Sequence, residues 1–386
     1  MIQNKNNEMQ DDISKELIDD LSEQIDEDLL KKTRSLLNTI NPRVKDKQQT
    51  LHTFTDEYKP KPYGSKRTYP QDNWSLYAKS LGREKINTLA ITNDAVDFLN
   101  IGYNYKGNGR PPVGLNEIAK SLVFGSYNNF SSWKVESELT LIAQAMGIID
   151  KIPARSTLNK YRKDPALTPI LERLYKLMAE PLAHLEDTFI VDASGVSNSY
   201  GNKRWREIRH KKEEGKERRK FSKLHIMCGL KTKIISAVMI TEGYQHENRT
   251  LIPLLNETVK IFKNPKKFLA DAGYFSKDNV KAIANIGAVP YIRTKKNVHI
   301  PMKGITSAYG NMLREQKFNP TLFDRVYNKR AIVEAVFSSF KRTRTSFCRS
   351  KYLISQRNEL LAKVVCHNAS ILSRMLLRYN LKCKFL

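Results

Sequence analysis

The chain has 386 residues, enough for two or three domains with a substantial core, and its 66 Lys and Arg against 40 Asp and Glu give a formal charge of +26. Such an excess favours a polyanionic partner, most often nucleic acid, because neutralising phosphates releases counterions. Cys228, Cys348, Cys366 and Cys383 are scattered without a C-x-x-C pair, which argues against a zinc cluster or a disulfide framework, and no apolar run is long enough to span a bilayer.

Residues 1–80 read as an acidic N-terminal helix and linker. The first 30 residues hold ten acids and two lysines, so the remainder is more basic than the total charge suggests. Leu17, Leu21, Ile25 and Leu29 recur every four positions, as in an amphipathic helix, although an unstructured acidic tail fits the composition equally well. With no apolar leader ahead of them, these residues point to a cytoplasmic protein. Prolines and lysines over residues 42–75 read as the linker.

Residues 81–180 read as an all-α region. Gly107, Gly109, Pro111 and Pro112 precede a run of short helical patterns, LNEIAKSLVFGSYNNFSSWKVESELTLIAQAMG, that suits a helix-turn-helix-like DNA-binding module. Ser156 is placed to cap a helix bearing Asn159, Lys160, Arg162 and Lys163, groups able to meet phosphates and base edges. A basic helix facing solvent is the commoner fate of that pattern.

Residues 181–386 read as an α/β domain. DTFIVDASG is a short strand ending at Asp192; KLHIMCGL and IISAVMIT form a hairpin across a KTK turn; KFLADAGY is a fourth strand ending at Asp271; VPYIRT is a fifth. NRTLIPLLNETVKIF, with Leu251, Leu254, Leu255 and Val259 on one side, and SKDNVKAIANIG supply the helices between them. A loop then leads to YNKRAIVEAVFSSFK, residues 327–341, read as one helix. At about 100° per residue, Tyr327, Arg330, Glu334 and Lys341 share an arc of about 60°, opposite Ile332, Val333, Val336, Phe337 and Phe340. A long C-terminal helix, ISQRNELLAKVVCHNASILSRMLLRYN, closes the chain, with Leu361, Val364, Val365, Ile371, Leu372 and Met375 as core or dimer contacts.

Two aspartates at strand ends and a glutamate on a helix can meet only through folding. Clustered carboxylates repel and neutralise unless a cation joins them, and oxygen-only ligation suits Mg²⁺ or Mn²⁺. Two such ions about 4 Å apart activate an attacking oxygen and stabilise a leaving one at phosphorus. GNGRPP lacks the Lys-Ser or Lys-Thr of a phosphate-binding loop, so no nucleotide cofactor is implied.

VDASG around Asp192, LADAGY around Asp271, and the spacing Y-x2-R-x3-E-x6-K filled by Tyr327, Arg330, Glu334 and Lys341 together resemble the insertion-sequence DDE transposases with the Y-R-E-K signature. The resemblance covers most of residues 107–375. It implies an RNase H-like core, a mixed five-stranded sheet flanked by helices, behind the all-α DNA-binding region. It also implies that Asp192, Asp271 and Glu334 are the catalytic residues and the ligands of two Mg²⁺ ions, for which Mn²⁺ substitutes. The implied reaction is strand cleavage at transposon ends and transfer of the freed 3′-hydroxyl into target DNA. Double-stranded DNA, as terminal inverted repeats and as target, is the implied partner of a cytoplasmic, nucleoid-associated homodimer, with Tyr327, Arg330 and Lys341 holding phosphates.

Arg204, Arg206, Arg209, Lys211, Lys212, Arg218, Arg219 and Lys220, in the run from Lys203 to Lys223, read as a DNA-gripping loop, with a solvated loop equally compatible. Lys341, Arg342, Arg344, Arg349 and Lys351 read as an extension of that basic surface. His246 and Glu247 resemble a His-acid step common before the second aspartate in this group, which can position a water or a metal, but a capping or core role fits at least as well, and they stand outside the catalytic set. A transposase-derived DNA-binding regulator and a structure-selective nuclease on the same fold are the alternative functions. The short stretch between Asp271 and Glu334 leaves little room for the β-rich insertion of some relatives.

Overall fold

The computed structural model of the chain describes residues 80–101, 111–143, 151–197, 221–243, 245–295, 307–344 and 347–379, with isolated positions besides. The acidic helix, the linker and the basic residues Arg204, Arg206, Arg209, Lys211, Lys212, Arg218, Arg219 and Lys220 lie outside the described residues.

The N-terminal part is helical: α1 (Glu84–Phe98), α2 (Leu115–Tyr127), α3 (Ser132–Glu138), α4 (Arg155–Tyr161) and α5 (Leu167–Ala179). The sheet follows. Phe189, Ile190 and Val191 are buried on both faces, as a central strand requires, and open β1 (Thr188–Ser197). β2 (Phe221–Gly229) and β3 (Ile235–Glu242) return antiparallel, joined by a turn in which Lys233 takes φ 67°. After α6 (Leu251–Ile261), β4 (Lys267–Ala270) lies parallel to β1; after α7 (Lys277–Asn285), β5 (Val289–Ile292) lies parallel to β4. The order is β3-β2-β1-β4-β5. Pro290 is tolerated because β5 is an edge strand.

Residues 307–327, expected as loop, fold as α8 (Ala308–Phe318) and α9 (Pro320–Tyr327). Ser307 Oγ accepts the Gly310 N–H as a helix cap, and Pro320 opens α9 where its missing N–H costs nothing. The single helix expected over residues 327–341 is broken. α9 ends at Tyr327, a 3₁₀ turn spans Asn328–Ala331, and α10 (Ile332–Arg344) starts beyond it. The two halves answer to different neighbours: Tyr327 stacks on Phe323 under the Arg293 guanidinium, whereas Val333, Val336 and Phe340 enter the main core.

The last helix, α11 (Leu353–Tyr379), is the hub. It is long and apolar enough to cross a membrane by length and composition, yet 83% of its most apolar window is buried inside the protein. α1, α2 and α5 pack on it, and one core runs from Leu89 to Phe385. Several of its buried polar groups are paired with the elements around it. Asn368 bridges the Tyr175 carbonyl and the Ile235 backbone, Asn358 holds the Arg162 and Asp164 carbonyls, and Ser370 and Ser373 meet Thr88 and Asn87.

Three basic expectations are corrected by these packings. α4 is preceded by Ala154, without a side-chain cap, and Asn159 accepts a hydrogen bond from Ser132 Oγ. Arg162 turns inward to the Glu359 carboxylate, leaving Lys160 and Lys163 exposed. Arg344 is 5% exposed, donating to the Tyr127 carbonyl and Ser370 Oγ, and Arg349 donates to the Asn129 carbonyl. Arg344 and Arg349 tie the α/β part to the helical part instead of widening a basic surface.

Candidate active site

The β1–β4 ladder ends at the pair Val191 and Ala270. Asp192 and Asp271 are each the next residue, so parallel pairing sets them side by side. The expectation that both acids close their strands holds only for Asp271. β1 continues to Ser197 against β2, and Asp192 lies in mid-strand, level with the end of its parallel neighbour.

Asp271 caps a 3₁₀ turn, Ala272–Tyr274, its Oδ1 accepting the Gly273 N–H at 2.8 Å. Asp192 Oδ1 accepts the Ala193 N–H at 2.8 Å. The third acid reaches them through an arginine. Arg330 Nη1 donates to Asp192 Oδ2 at 3.3 Å and Nη2 donates to Glu334 Oε1 at 3.4 Å. Glu334 remains 66% exposed while Asp192 is 16% exposed, so the guanidinium bridges an inner and an outer carboxylate. Lys341 Nζ donates to the Gly195 carbonyl at 3.0 Å, which brings the other end of α10 against the same strand. Tyr327 lies between Arg293 and Arg330, 4.4 Å and 6.0 Å from its ring centre. Asp192, Asp271, Arg330 and Glu334 therefore gather at the end of β4, with Lys341 farther along β1 and Tyr327 beside Arg330.

A fourth carboxylate, outside the set expected from the sequence, joins them. Glu247 opens a 3₁₀ turn, Glu247–Thr250, and pairs with Lys223 of β2. Its Oε2 lies 2.6 Å, and Asp271 Oδ1 2.9 Å, from where a Cβ on Gly273 would stand. The glycine leaves the gap that the two carboxylates border.

Burial raises the Asp192 carboxyl to about 6, and the Asp271 and Glu247 charges push the same way against the Ala193 N–H and Arg330. Asp271 is raised for the same reason, burial first and Glu247 next. Tyr274, fully buried, has its phenol raised well above its ordinary value by burial and by Glu247, Asp192 and Asp271. Its hydroxyl has no partner at hydrogen-bond geometry.

Among the described residues no group of three or more His, Cys, Asp or Glu is gathered closely enough to hold a metal ion. Arg330 and Lys223 stand between the carboxylates as cations of the chain's own. The residues nonetheless fit a divalent cation in chemistry. The donors are hard oxygens, burial and repulsion from neighbouring carboxylates raise the two inner aspartates, a strain that a cation would relieve, and the Gly273 gap is kept clear of side chain.

Residues 183–369, just under half of the chain, match the family model described as a transposase DDE domain. No curated protein matches the chain. The matched segment runs from just before β1 into α11 and contains every site residue named above, which supports a transposase of the DDE type.

Proposed function

We propose that this chain is a DNA transposase that cleaves strands at the ends of its element and joins the freed 3′-hydroxyl to target DNA. The observation that carries the proposal is the bridging of Asp192 and Glu334 by Arg330, with Asp271 beside Asp192 at the end of β4, inside the segment that matches a transposase DDE domain. The sheet order, with three antiparallel strands followed by two parallel ones, suits the RNase H-like core implied by the sequence resemblance.

In this reading Asp192, Asp271 and Glu334 hold two divalent cations, Mg²⁺ or Mn²⁺. When bound, the ions activate the attacking oxygen and stabilise the leaving one in an in-line displacement at phosphorus. The attacking group is first water, whose addition breaks a phosphodiester into a 3′-hydroxyl and a 5′-phosphate. It is then that 3′-hydroxyl, which displaces a 3′-oxygen of the target strand.

The chain's own residues supply position and charge. Arg330 exchanges its two carboxylates for a phosphate, a partner that its planar fork also suits. Tyr327 is held flat by Phe323 and Arg293 at the rim, where it meets the DNA backbone. Lys341, whose ammonium is destabilised by burial, gains a phosphate in place of a backbone carbonyl. Residues 204–220, which follow β1 in the chain, bring their arginines and lysines to the same DNA. Two copies acting on paired transposon ends complete the proposal.

The test uses the full chain with DNA carrying the sequences that flank its reading frame. D192N, D271N and E334Q are each expected to lose end cleavage by a thousandfold or so, the loss of one charge-stabilising group in a closed site being already about 10²–10³. Binding of the same DNA is expected to stay within about threefold. Undiminished cleavage in any one variant would sink the assignment, and cleavage without joining of the 3′-end would reduce the protein to a nuclease.

A further inference from the structure

Glu247 has no role in the site as the sequence pattern defines it, yet the fold builds it in. Asn279, 1% exposed, donates from its side-chain amide to the Asn248 carbonyl at 2.9 Å and to the Tyr274 carbonyl at 2.7 Å. One buried amide thus clamps the turn that carries Glu247 to the turn that carries Asp271. Thr250 fixes the first turn from within, its hydroxyl donating to the Glu247 carbonyl at 2.7 Å. Ser276, capping α7, accepts the Asn279 N–H and holds the clamp in register. The two carboxylates then border the same gap over Gly273.

Two features mark that gap as a place for a ligand and not a mere crowding of acids. The Glu247 charge is met by Lys223, a side-chain cation only 13% exposed, reaching across from β2. The Tyr274 hydroxyl, fully buried, is acted on by Glu247, Asp192 and Asp271 but has no hydrogen-bond partner of good geometry. The Thr250 hydroxyl beside it is committed to the Glu247 carbonyl. A buried hydroxyl without a partner is costly, and a water of a cation's shell, which donates its protons outward, supplies one to the phenol oxygen.

We propose that Glu247 is a cation-binding residue of the centre, joining Asp192 and Asp271 around a divalent ion over Gly273, with Lys223 competing for its carboxylate. The inference rests on reading Asp192 and Asp271 as a cation-binding pair. It separates the inner acids, which the sheet and the two clamped turns hold together, from Glu334, which reaches the centre from α10 through Arg330. Ligand charge count sets affinity at such oxygen sites. Glu247 is accordingly a determinant of how tightly the inner ion is held, and Asn279 is a positioning residue acting through it.

The experiment is Mn²⁺ binding to the full chain without DNA, followed by calorimetry and by the rise in Tm. E247Q is expected to weaken Mn²⁺ binding by about a hundredfold or more, at or above the roughly 10–100-fold that loss of an outer supporting partner gives. K223M, which frees the Glu247 carboxylate, is expected to tighten it. Opposite shifts from the two variants are not what a merely structural ion pair produces, since breaking that pair from either side lowers stability alike. A folded E247Q that binds Mn²⁺ with the parent's affinity would overturn the proposal. Should E247Q not fold, K223M decides, and unchanged or weaker binding in it has the same effect. Strand cleavage and joining are scored separately. Absence of both with Glu247-dependent Mn²⁺ binding removes the transposase reading and leaves this inference; active joining with Mn²⁺ binding indifferent to Glu247 does the reverse.

Discussion

Gly273 is where the smallest side chain carries the largest local consequence. It sits in an exposed 3₁₀ turn without positive φ, so alanine there strains no backbone, and the only obstacle to a Cβ is the pair of carboxylates at 2.6 and 2.9 Å. G273A is therefore expected to change unfolding free energy by less than about 1 kcal/mol, while Mn²⁺ affinity falls on the order of tenfold as one acid is displaced. Denaturant melts and a Mn²⁺ titration on one sample check both halves; a large stability loss with intact affinity would contradict the assignment of the gap. At this scale the sequence was informative where an acid ended an apolar run, as at Asp271, and where four residue types kept fixed spacings, as in Tyr327, Arg330, Glu334 and Lys341. Glu247 stands out there as part of a His-acid step but stays outside the catalytic set, because HEN reads equally well as a polar capping turn. Nothing in the chain announces that Asn279, 31 residues later, clamps that turn to the second aspartate. Burial of Arg344 escaped it as well, since a basic residue near the end of a helix carries no mark of facing inward.

The elements show which local signals were strong enough to survive packing. All five strands follow apolar runs bounded by turn residues, and α11 follows an apolar pattern too long to be anything else. α8 and α9 did not stand out, because Pro320 and Gly310 read as breakers although one opens a helix and the other sits in a capped first turn. The break between α9 and α10 has no Gly or Pro to announce it and comes from two packing partners that lie in different directions. α11 is held to the segment before it by Glu359, whose carboxylate accepts from the Arg349 and Ser350 N–H groups, Ser350 Oγ and Lys363 Nζ. Lys363 and Arg162 hold this buried carboxyl below its usual range against the opposing effect of desolvation. E359A strips two inward-facing cations of their counterion, and loss of one partner from a buried pair costs about 3–5 kcal/mol. A denaturation midpoint lowered by that amount, with Mn²⁺ affinity unchanged in the folded fraction, is the expected result.

For the whole molecule, one core unites the helical region with the sheet, so acid sensitivity in one part is felt by all. His367 of α11 is buried against Phe340, its Nε2 bonded to the Lys233 carbonyl, and burial lowers its pKa from 6.5 to about 4. The folded state therefore refuses a proton that the unfolded chain accepts. Stability associated with this group is complete above pH 6.5 and is lost as the pH falls toward 4. Between pH 7 and 5 the loss amounts to about 2 kcal/mol, and H367Q is expected to show that much less acid destabilisation than the parent in paired melts. Equal pH slopes in the two proteins would show that the histidine takes up its proton while folded. The carboxyls of Asp192 and Asp271 shift the opposite way and are common to both proteins, so they cancel in the comparison.

β1 beyond Asp192 has a further significance. Arg330 reaches Asp192, Lys341 reaches the Gly195 carbonyl, and the Cys348 N–H reaches the Ser197 carbonyl at 2.8 Å. The helix and the chain leaving it are thus stitched to the strand at three rungs. Arg330 reaches Asp192 from the 3₁₀ turn before α10, and seven residues are about two helical turns, so the spacing from Glu334 to Lys341 keeps both on one side of the helix. Adding or removing one residue inside it turns everything beyond by about 100° and unpicks the stitching. The interval from Asp271 to Glu334 is measured against nothing and is merely crossed, by α7, β5, α8 and α9. Length variation in proteins built on this plan should therefore collect in that interval and spare the eight residues from Glu334 to Lys341.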